Sequence, residues 1–119
     1  MVQRVLLVDD CDNAAAQLLQ IIENMPGFVV VGHARNGAEA LRMFATLRPD
    51  VVCMDIVMPT LDGLQAARSI LQAAPQTALY MISSVAEVPS KFAQAVAVGA
   101  RDIIPKPFRP EEVRAMLLT

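Results

Sequence analysis

Five short runs of Val, Ile and Leu, each followed by a stretch with helical spacing of apolar residues, restrict the fold of this chain more than any other feature. This alternation predicts five strands joined by helices, and therefore a parallel α/β sheet. Residues 5–8 and 51–54 are apolar without interruption, which is typical of strands that helices cover on both faces. The strand-like runs begin near Arg4, Phe28, Val51, Thr77 and Asp102.

Capping and helix-breaking residues mark the ends of the predicted helices. Asn36 is a suitable N-cap for the second helix, because Glu39 follows three residues later in the pattern of a capping box. Pro110 fits the first turn of the fifth helix, where its missing N–H is tolerated. The other predicted boundaries are a first helix ending before Pro26-Gly27, a second ending before Pro49, a third from Gly63 to about Ala74 and a fourth from about Ser90 to Val98.

The length of the chain suits a single domain that spans residues 1–119. It has 119 residues, of which 55% are hydrophobic and 18% are charged, which is enough apolar material for one buried core. Right-handed crossovers place helices on both sides of a parallel sheet. Five such units predict a doubly wound sheet of order 2-1-3-4-5, with a site at the carboxyl ends of its strands.

Charge and cysteine content exclude several classes of function. The formal net charge is −2 and no run of Lys or Arg occurs, which argues against direct nucleic-acid binding by this domain. No apolar run approaches the roughly 20 residues that cross a bilayer, so we expect a cytoplasmic protein without membrane contact. Cys11 and Cys53 stand alone, and His33 is the one histidine. Neither a zinc site nor a disulfide framework is therefore expected.

Polar residues occur where the predicted strands end. Asp9 and Asp10 follow the first strand, Asp55 ends the third, Ser83 ends the fourth and Lys106 follows the fifth. Parallel connectivity brings these positions to one edge of the sheet. Three carboxylates gathered there repel one another unless a cation joins them, and Mg²⁺ prefers such oxygen ligands. A nucleophile, a metal site, a lysine and a hydroxyl together predict phosphoryl transfer.

The same residues lie within longer motifs. On these motifs the sequence resembles the receiver domains of two-component response regulators, from Val5 to Met116. The resemblance implies a flavodoxin-like arrangement of the sheet. The motifs are Val8-Asp9-Asp10, residues 54–59 (Met-Asp-Ile-Val-Met-Pro) with Asp62-Gly63, Ile82-Ser83-Ser84 and Lys106-Pro107-Phe108.

The resemblance implies a role for each of these polar residues. Asp55 would accept a phosphoryl group from the phosphohistidine of a sensor histidine kinase or phosphotransfer protein. Asp10, Asp55 and the backbone carbonyl of Val57 would ligate Mg²⁺, or Mn²⁺ in its place, and Asp9 would orient water on the metal. Ser83 and Lys106 would hold the phosphoryl oxygens. The Lys106-Pro107 peptide bond is expected to be cis.

Three positions depart from the pattern of the family. Many relatives carry Tyr or Phe three residues before the lysine, where the ring moves on phosphorylation, but Ile103 stands here. Switching is therefore expected to depend on Ser83 and the following loop. Val57 and Val85 are apolar where relatives with fast hydrolysis often carry polar side chains, so we expect a long-lived phosphoryl group.

Residues outside these motifs have simpler interpretations. His33 is expected near the end of the second strand, at the edge of the sheet and away from the acids, in a structural or exposed position. Asp62 and Gly63 fit a turn and the start of a helix, so their role is expected to be geometric. By resemblance, helix 4, strand 5 and helix 5 form the face for a partner, an output domain or a second copy of the chain. The charged residues near this face are Lys91, Arg101, Asp102, Arg109, Glu112 and Arg114.

Two other functions are compatible with part of this pattern. A degenerate receiver would bind proteins without being phosphorylated, but Asp10, Asp55 and Lys106 are all present. A phosphatase of the haloacid dehalogenase type also uses Asp, Lys, Ser and Mg²⁺, but its signature has a second Asp two residues after the nucleophile. Val57 occupies that position here. The leading hypothesis is therefore a signalling module that catalyses its own phosphorylation, and not an enzyme with small-molecule turnover.

Overall fold

Strands and helices alternate strictly along the chain, as the apolar pattern predicts. The computed structural model describes residues 2–58 and 62–118. The elements are Gln3–Val8 (β1), Asp12–Glu23 (α1), Phe28–Ala34 (β2), Gly37–Leu47 (α2), Val51–Asp55 (β3), Gly63–Ala73 (α3), Ala78–Ser84 (β4), Val88–Val98 (α4), Asp102–Lys106 (β5) and Pro110–Leu117 (α5).

The five strands form one parallel sheet of order β2-β1-β3-β4-β5, which confirms the predicted doubly wound topology. In the register of this sheet, Val8 lies opposite Met54, Asp55 opposite Ile82, and Ser84 opposite Lys106. The strands therefore reach a common edge at their carboxyl ends. Sequence order reverses between β1 and β3, which is where such folds place their sites.

The core is divided into two layers because neighbouring strand residues point to opposite faces of the sheet. Leu6 and Met54 pack with residues of α2, α3 and α4 on one face. Leu7 and Cys53 pack with residues of α1 and α5 on the other face. Burial on both faces explains the uninterrupted apolar runs.

Local capping follows the predicted pattern at two helices. The Asn36 side chain accepts a hydrogen bond of 2.8 Å from the backbone N–H of Glu39, and the Glu39 carboxylate accepts one of 2.9 Å from the N–H of Arg35. Asp62 accepts a bond of 2.9 Å from the N–H of Gln65 and starts α3. These bonds satisfy donors that the first turn of a helix leaves free.

Several boundaries differ from the prediction by one or two residues, among them the start of β1 at Gln3 where Arg4 was expected. α4 begins at Val88, earlier than the predicted start near Ser90, because Pro89 is accommodated in its first turn. The Ser90 hydroxyl instead donates to the carbonyl of Glu87, the N-cap residue. β4 begins at Ala78, one residue later than predicted. Across residues 2–58 and 62–118, no helix has the length and apolar character needed to cross a bilayer.

Candidate functional site

Three acidic side chains meet at the carboxyl edge of the sheet. Asp9 and Asp10 directly follow β1, and Asp55 is the last residue of β3. Each contributes a carboxylate oxygen to a group in which all three oxygens lie within 4.8 Å of one another. Asp9 is 2% exposed and Asp55 is 8% exposed, whereas Asp10 is exposed to solvent. Two of the three acids are therefore buried, and repulsion between carboxylates is stronger away from water.

Lys106 at the end of β5 places a positive charge between the two buried acids. Its Nζ lies 2.9 Å from Oδ2 of Asp55 and 2.9 Å from Oδ2 of Asp9. With Asp55 the contact is also a directed hydrogen bond. One ammonium group thus faces two buried carboxylates, and the exposed Asp10 adds a third acid to the cluster, so the cluster retains a negative charge.

The environment of the cluster shifts the pKa of two groups. Burial raises the pKa of the Asp55 carboxyl, although the hydrogen bond and charge of Lys106 oppose the shift, and the charge of Asp9 adds to it. Burial alone would lower the pKa of Lys106, but the carboxylates of Asp9 and Asp55 outweigh it and the pKa is raised. The lysine therefore stays charged at neutral pH.

Backbone N–H groups orient the same two carboxylates. Oδ1 of Asp9 accepts a bond of 2.9 Å from the N–H of Cys11, and Oδ1 of Asp55 accepts one of 3.2 Å from the N–H of Val57. Oδ2 of Asp9 is different, because it is buried and accepts no directed hydrogen bond from the part of the chain that the structure describes. Its ion pair with Lys106 leaves this oxygen open to a further cation or donor.

The donor set fits a hard divalent cation. It consists of carboxylate oxygens alone, it includes a buried oxygen with an unfilled acceptor site, and its net charge is negative. Mg²⁺ and Mn²⁺ prefer oxygen ligands of this kind, and Mg²⁺ commonly binds through one or two carboxylates and retained waters. The residues present therefore match the metal expected from the sequence.

Gly63 lets the start of α3 lie directly against the end of β3. Its N–H donates a bond of 2.9 Å to the carbonyl of Ile56. A Cβ at this position would overlap the backbone carbonyl of Asp55. The geometric role expected for this glycine is therefore to permit a close approach of two backbones.

Ser83 and two valines lie near the acidic cluster. Ser83 is buried in β4 and follows Ile82, the register partner of Asp55. Val57 is 61% exposed and Val85 is 60% exposed, each two residues beyond Asp55 or Ser83. Both valines therefore present apolar surface to solvent at this edge. Pro59, which belongs to a motif of the sequence, lies outside the described residues.

Ile103 does not lie at this surface. Its side chain is 2% exposed and packs in the core layer beneath α2, α3 and α4. An aliphatic side chain that is already buried, as that of Ile103 is, has no polar end to draw it outward.

The peptide bond between Lys106 and Pro107, at the end of β5, is cis, which confirms the expectation.

His33 is not away from the acids, which corrects the prediction. Because β2 pairs with β1, His33 lies opposite Leu7, and its Nε2 is 2.9 Å from the backbone carbonyl of Asp9. Aligning the predicted strand starts, Arg4 with Phe28, would place position 33 opposite Asp9, whereas the observed register, which shifts partway along this strand pair, places it opposite Leu7. Parallel pairing therefore predicts that His33 lies near the carboxyl end of β1, but the contact itself depends on this register.

A cavity of about 760 Å³ lies at the opposite, amino edge of the sheet. It is bordered by Asp50, Thr77, Tyr80 and Arg101 among other residues. None of the predicted site residues lines it. The cavity and the acidic cluster therefore occupy opposite ends of the strands.

The family of response regulator receiver domains matches residues 5–118. The chain belongs to this family. Chemotaxis protein CheY of Thermotoga maritima is 37% identical to this receiver over 113 residues, which cover 95% of the chain and 92% of CheY.

Other relatives are longer proteins with a receiver as one part. A protein-glutamate methylesterase/protein-glutamine glutaminase of Saccharophagus degradans is 43% identical over 108 residues, which cover 91% of this receiver but 30% of that protein. The chain spans less than a third of the length of the methylesterase relatives it matches. Among solved structures, the response regulator domain of Thermotoga maritima CheB superposes with a TM-score of 0.85 at 39% identity, covering 99% of this receiver and 92% of that chain. As a receiver domain, the chain is a two-component signalling module.

Proposed function

We propose that this receiver accepts a phosphoryl group onto Asp55 from a phosphohistidine of a sensor histidine kinase or phosphotransfer protein. The observation that carries the proposal is the position of Asp55, a buried carboxylate that shares one cluster with Asp9 and Asp10 and lies 2.9 Å from Lys106 Nζ. A carboxylate held in this way is a nucleophile beside a fixed positive charge. Family membership supports this class of donor.

The transfer is an in-line displacement at phosphorus. An oxygen of Asp55 attacks, the P–O bond forms, and the N–P bond of the donor breaks with its electron pair left on the imidazole nitrogen. Lys106 then faces one of the phosphoryl oxygens, and the Ser83 hydroxyl donates to another. The Val57 N–H already donates to Asp55 Oδ1, which orients the carboxylate.

Asp9, Asp10, Asp55 and the backbone carbonyl of Val57 would hold Mg²⁺, or Mn²⁺ in its place. When bound, the ion supplies positive charge that offsets repulsion among the acids and at the transferring phosphoryl group. The support comes from the oxygen donor set and the buried, unfilled Oδ2 of Asp9.

The test is phosphorylation of the purified chain by a small phosphoryl donor with Mg²⁺. Intact-mass measurement should show one added phosphoryl group, and peptide mapping should place it on Asp55. The Asp55→Asn variant should lose it, whereas Asp50→Asn, an acid at the amino edge of the sheet, should retain it. Modification that persists in Asp55→Asn would reject the proposal. A chain that stays unmodified with Mg²⁺ would favour a binding module that works without phosphorylation.

The output surface is proposed to comprise α4, β5 and α5. The α4 side chains of Phe92 and Val96 are 48% and 52% exposed, so this helix presents apolar surface that a partner, an output domain or a second copy of the chain would cover. Comparing hydrodynamic size with and without a phosphate mimic and Mg²⁺ tests for the homodimer. We also propose a cytoplasmic location and a single domain over residues 1–119.

Switching is proposed to depend on Ser83 and the β4–α4 loop, because Ile103 lacks the aromatic ring that moves in many relatives. Replacing Ile103 with Ala or Tyr should leave a phosphorylation-dependent partner response in place. If either variant loses that response as completely as Asp55→Asn, Ile103 is part of the switch after all.

A further inference from the structure

The ring of His33, on the edge strand β2, contacts the backbone of Asp9. Its Nε2 lies 2.9 Å from the backbone carbonyl oxygen of Asp9. A carbonyl oxygen can only accept, so Nε2 carries the hydrogen and donates it. The neutral ε tautomer and the imidazolium both carry this hydrogen. The ring is half-buried, so the bond is partly shielded from water.

The end of β2 holds the backbone of Asp9 at both of its polar groups. The Asp9 N–H donates a bond of 3.0 Å to the carbonyl of Ala34, and the Asp9 carbonyl accepts the bond from His33. The Asp9 side chain is held separately, by the N–H of Cys11 and by Lys106. Asp9 is therefore fixed through both its backbone and its carboxylate.

Fixing the direction of the Asp9 carbonyl also fixes the backbone N–H of Asp10. The two are joined by one planar peptide group, so the direction of the Asp9 carbonyl sets the direction of the Asp10 N–H. Asp10 is exposed, and within residues 2–58 and 62–118 its carboxylate forms no hydrogen bond or ion pair. The position from which this carboxylate extends, the Cα of Asp10, is therefore set by the backbone.

We propose that His33 is a positioning residue that orients the Asp9–Asp10 peptide and so prepares Asp10 to bind the divalent cation. The inference rests on the proposed function, because it assigns Asp10 to the metal site. A ligand oriented before binding loses less conformational freedom when the ion arrives, so binding is tighter. Removing the His33 donor should weaken metal binding without removing any carboxylate.

A pair of variants separates the hydrogen bond from the packing of the ring. His33→Phe keeps a ring of similar size and removes the donor, whereas His33→Gln keeps an N–H donor. We expect His33→Phe to lower Mg²⁺ affinity about tenfold, the lower end of the range for partners of metal ligands. His33→Gln should restore most of that loss. Arg35→Met is the matched control, because Arg35 lies two residues after His33, just beyond the end of β2, and pairs with Asp12.

Mg²⁺ affinity is measured by calorimetry, and NMR amide shifts report on Asp10. Phosphorylation by a small donor should slow at limiting Mg²⁺ in His33→Phe and approach the native rate at saturating Mg²⁺. Unchanged affinity in a folded His33→Phe protein overturns the inference, and so does an equal loss in His33→Gln. Should His33→Phe not fold, His33→Leu replaces it under the same criterion.

The two proposals fail in distinguishable ways. If the native chain is phosphorylated on Asp55 and His33→Phe binds Mg²⁺ like the native chain, only the role of His33 is wrong. If the native chain neither binds Mg²⁺ nor becomes phosphorylated, the proposed function is rejected, and the role of His33 is rejected with it.

Discussion

The two ends of the parallel sheet use polar residues in different ways. At the amino edge, the Arg4 guanidinium donates to the carbonyls of Leu47 and Arg48 at 2.6 and 3.1 Å, and the Tyr80 hydroxyl donates to the carbonyl of Met116 at 3.0 Å. At the carboxyl edge, the carboxylates of Asp9 and Asp55 face each other across Lys106. At the amino edge these side chains bond backbone carbonyls, whereas at the carboxyl edge charged side chains also lie directly against one another.

The two edges therefore differ in role: polar side chains at the amino edge stabilise the fold, and those at the carboxyl edge form the candidate site. Side chains that bond backbone carbonyls at the end of a helix stabilise the fold. Buried like charges lower stability and are typical of functional sites. The 760 Å³ cavity lies at the amino edge, whereas the acidic cluster lies at the carboxyl edge. The arrangement of charge is the better indicator of phosphoryl chemistry in this fold.

The largest expected effect is on activity and follows from removing the cation at the carboxyl edge. Lys106→Ala should slow phosphorylation by a small donor by about 100-fold, the cost of losing one fixed donor to a developing anion. The control is Lys91→Ala, because Lys91 lies on α4. Time courses of phosphoryl incorporation measure both. Loss of activity below about tenfold would contradict the role given to Lys106.

The matching change at the amino edge should affect stability and leave activity intact. Arg4→Met removes the donor to two carbonyls at the end of α2, and should lower the free energy of unfolding by about 1–2 kcal/mol. Urea denaturation measures this loss, with Arg42→Met, an exposed arginine of α2, as the control. Slower phosphorylation by folded Arg4→Met would break the proposed division between the two edges.

Neutralising Asp55, the proposed nucleophile, should stabilise the metal-free protein. Because burial raises the pKa of Asp55, its contribution to stability is fully present below the unfolded pKa of about 3.9 and is lost as pH rises through the folded pKa. Asp55→Asn does not titrate, so it should be more stable than the native chain by about 1 kcal/mol at neutral pH. The gain should vanish in acid. Denaturation at several pH values without divalent cations tests this, and a gain that persists in acid would argue against burial of the charge as its cause.

The smallest expected effect concerns the lifetime of the phosphoryl group. Val57→Asn and Val85→Asn each place a polar side chain where attacking water is oriented in rapidly hydrolysing relatives, and each should shorten the lifetime several-fold. Decay of the phosphorylated protein after removal of the donor measures the change. Val96→Asn, which changes another exposed valine, on α4, is the control. A native lifetime of seconds would contradict the expected slow hydrolysis.

Much of the fold could be predicted because few topologies are compatible with five strand–helix units. Parallel strands share one carboxyl edge, so the approach of Asp55 to Asp9 and Lys106 followed from the order of the strands. These predictions needed the sequence of elements, and did not need accurate boundaries.

The contact between His33 and Asp9 required finer information. It depends on the register of β1 against β2, which shifts between Val5 and Leu6. Apolar periodicity assigns a face to each residue but does not give the offset between two strands. The start of α4 differs from the prediction for another reason, because the first turn accommodates Pro89 and the helix begins at Val88.

Gly63 limits which substitutions can be tolerated beside Asp55, the proposed phosphoacceptor. Since no side chain separates the start of α3 from the carbonyl of Asp55, even a methyl group at position 63 would displace the strand end that presents the nucleophile. Such a substitution would leave every charge in place and still misdirect the attacking oxygen. The proposed phosphoacceptor thus depends on a neighbouring residue that takes no part in the chemistry and leaves space for the backbone.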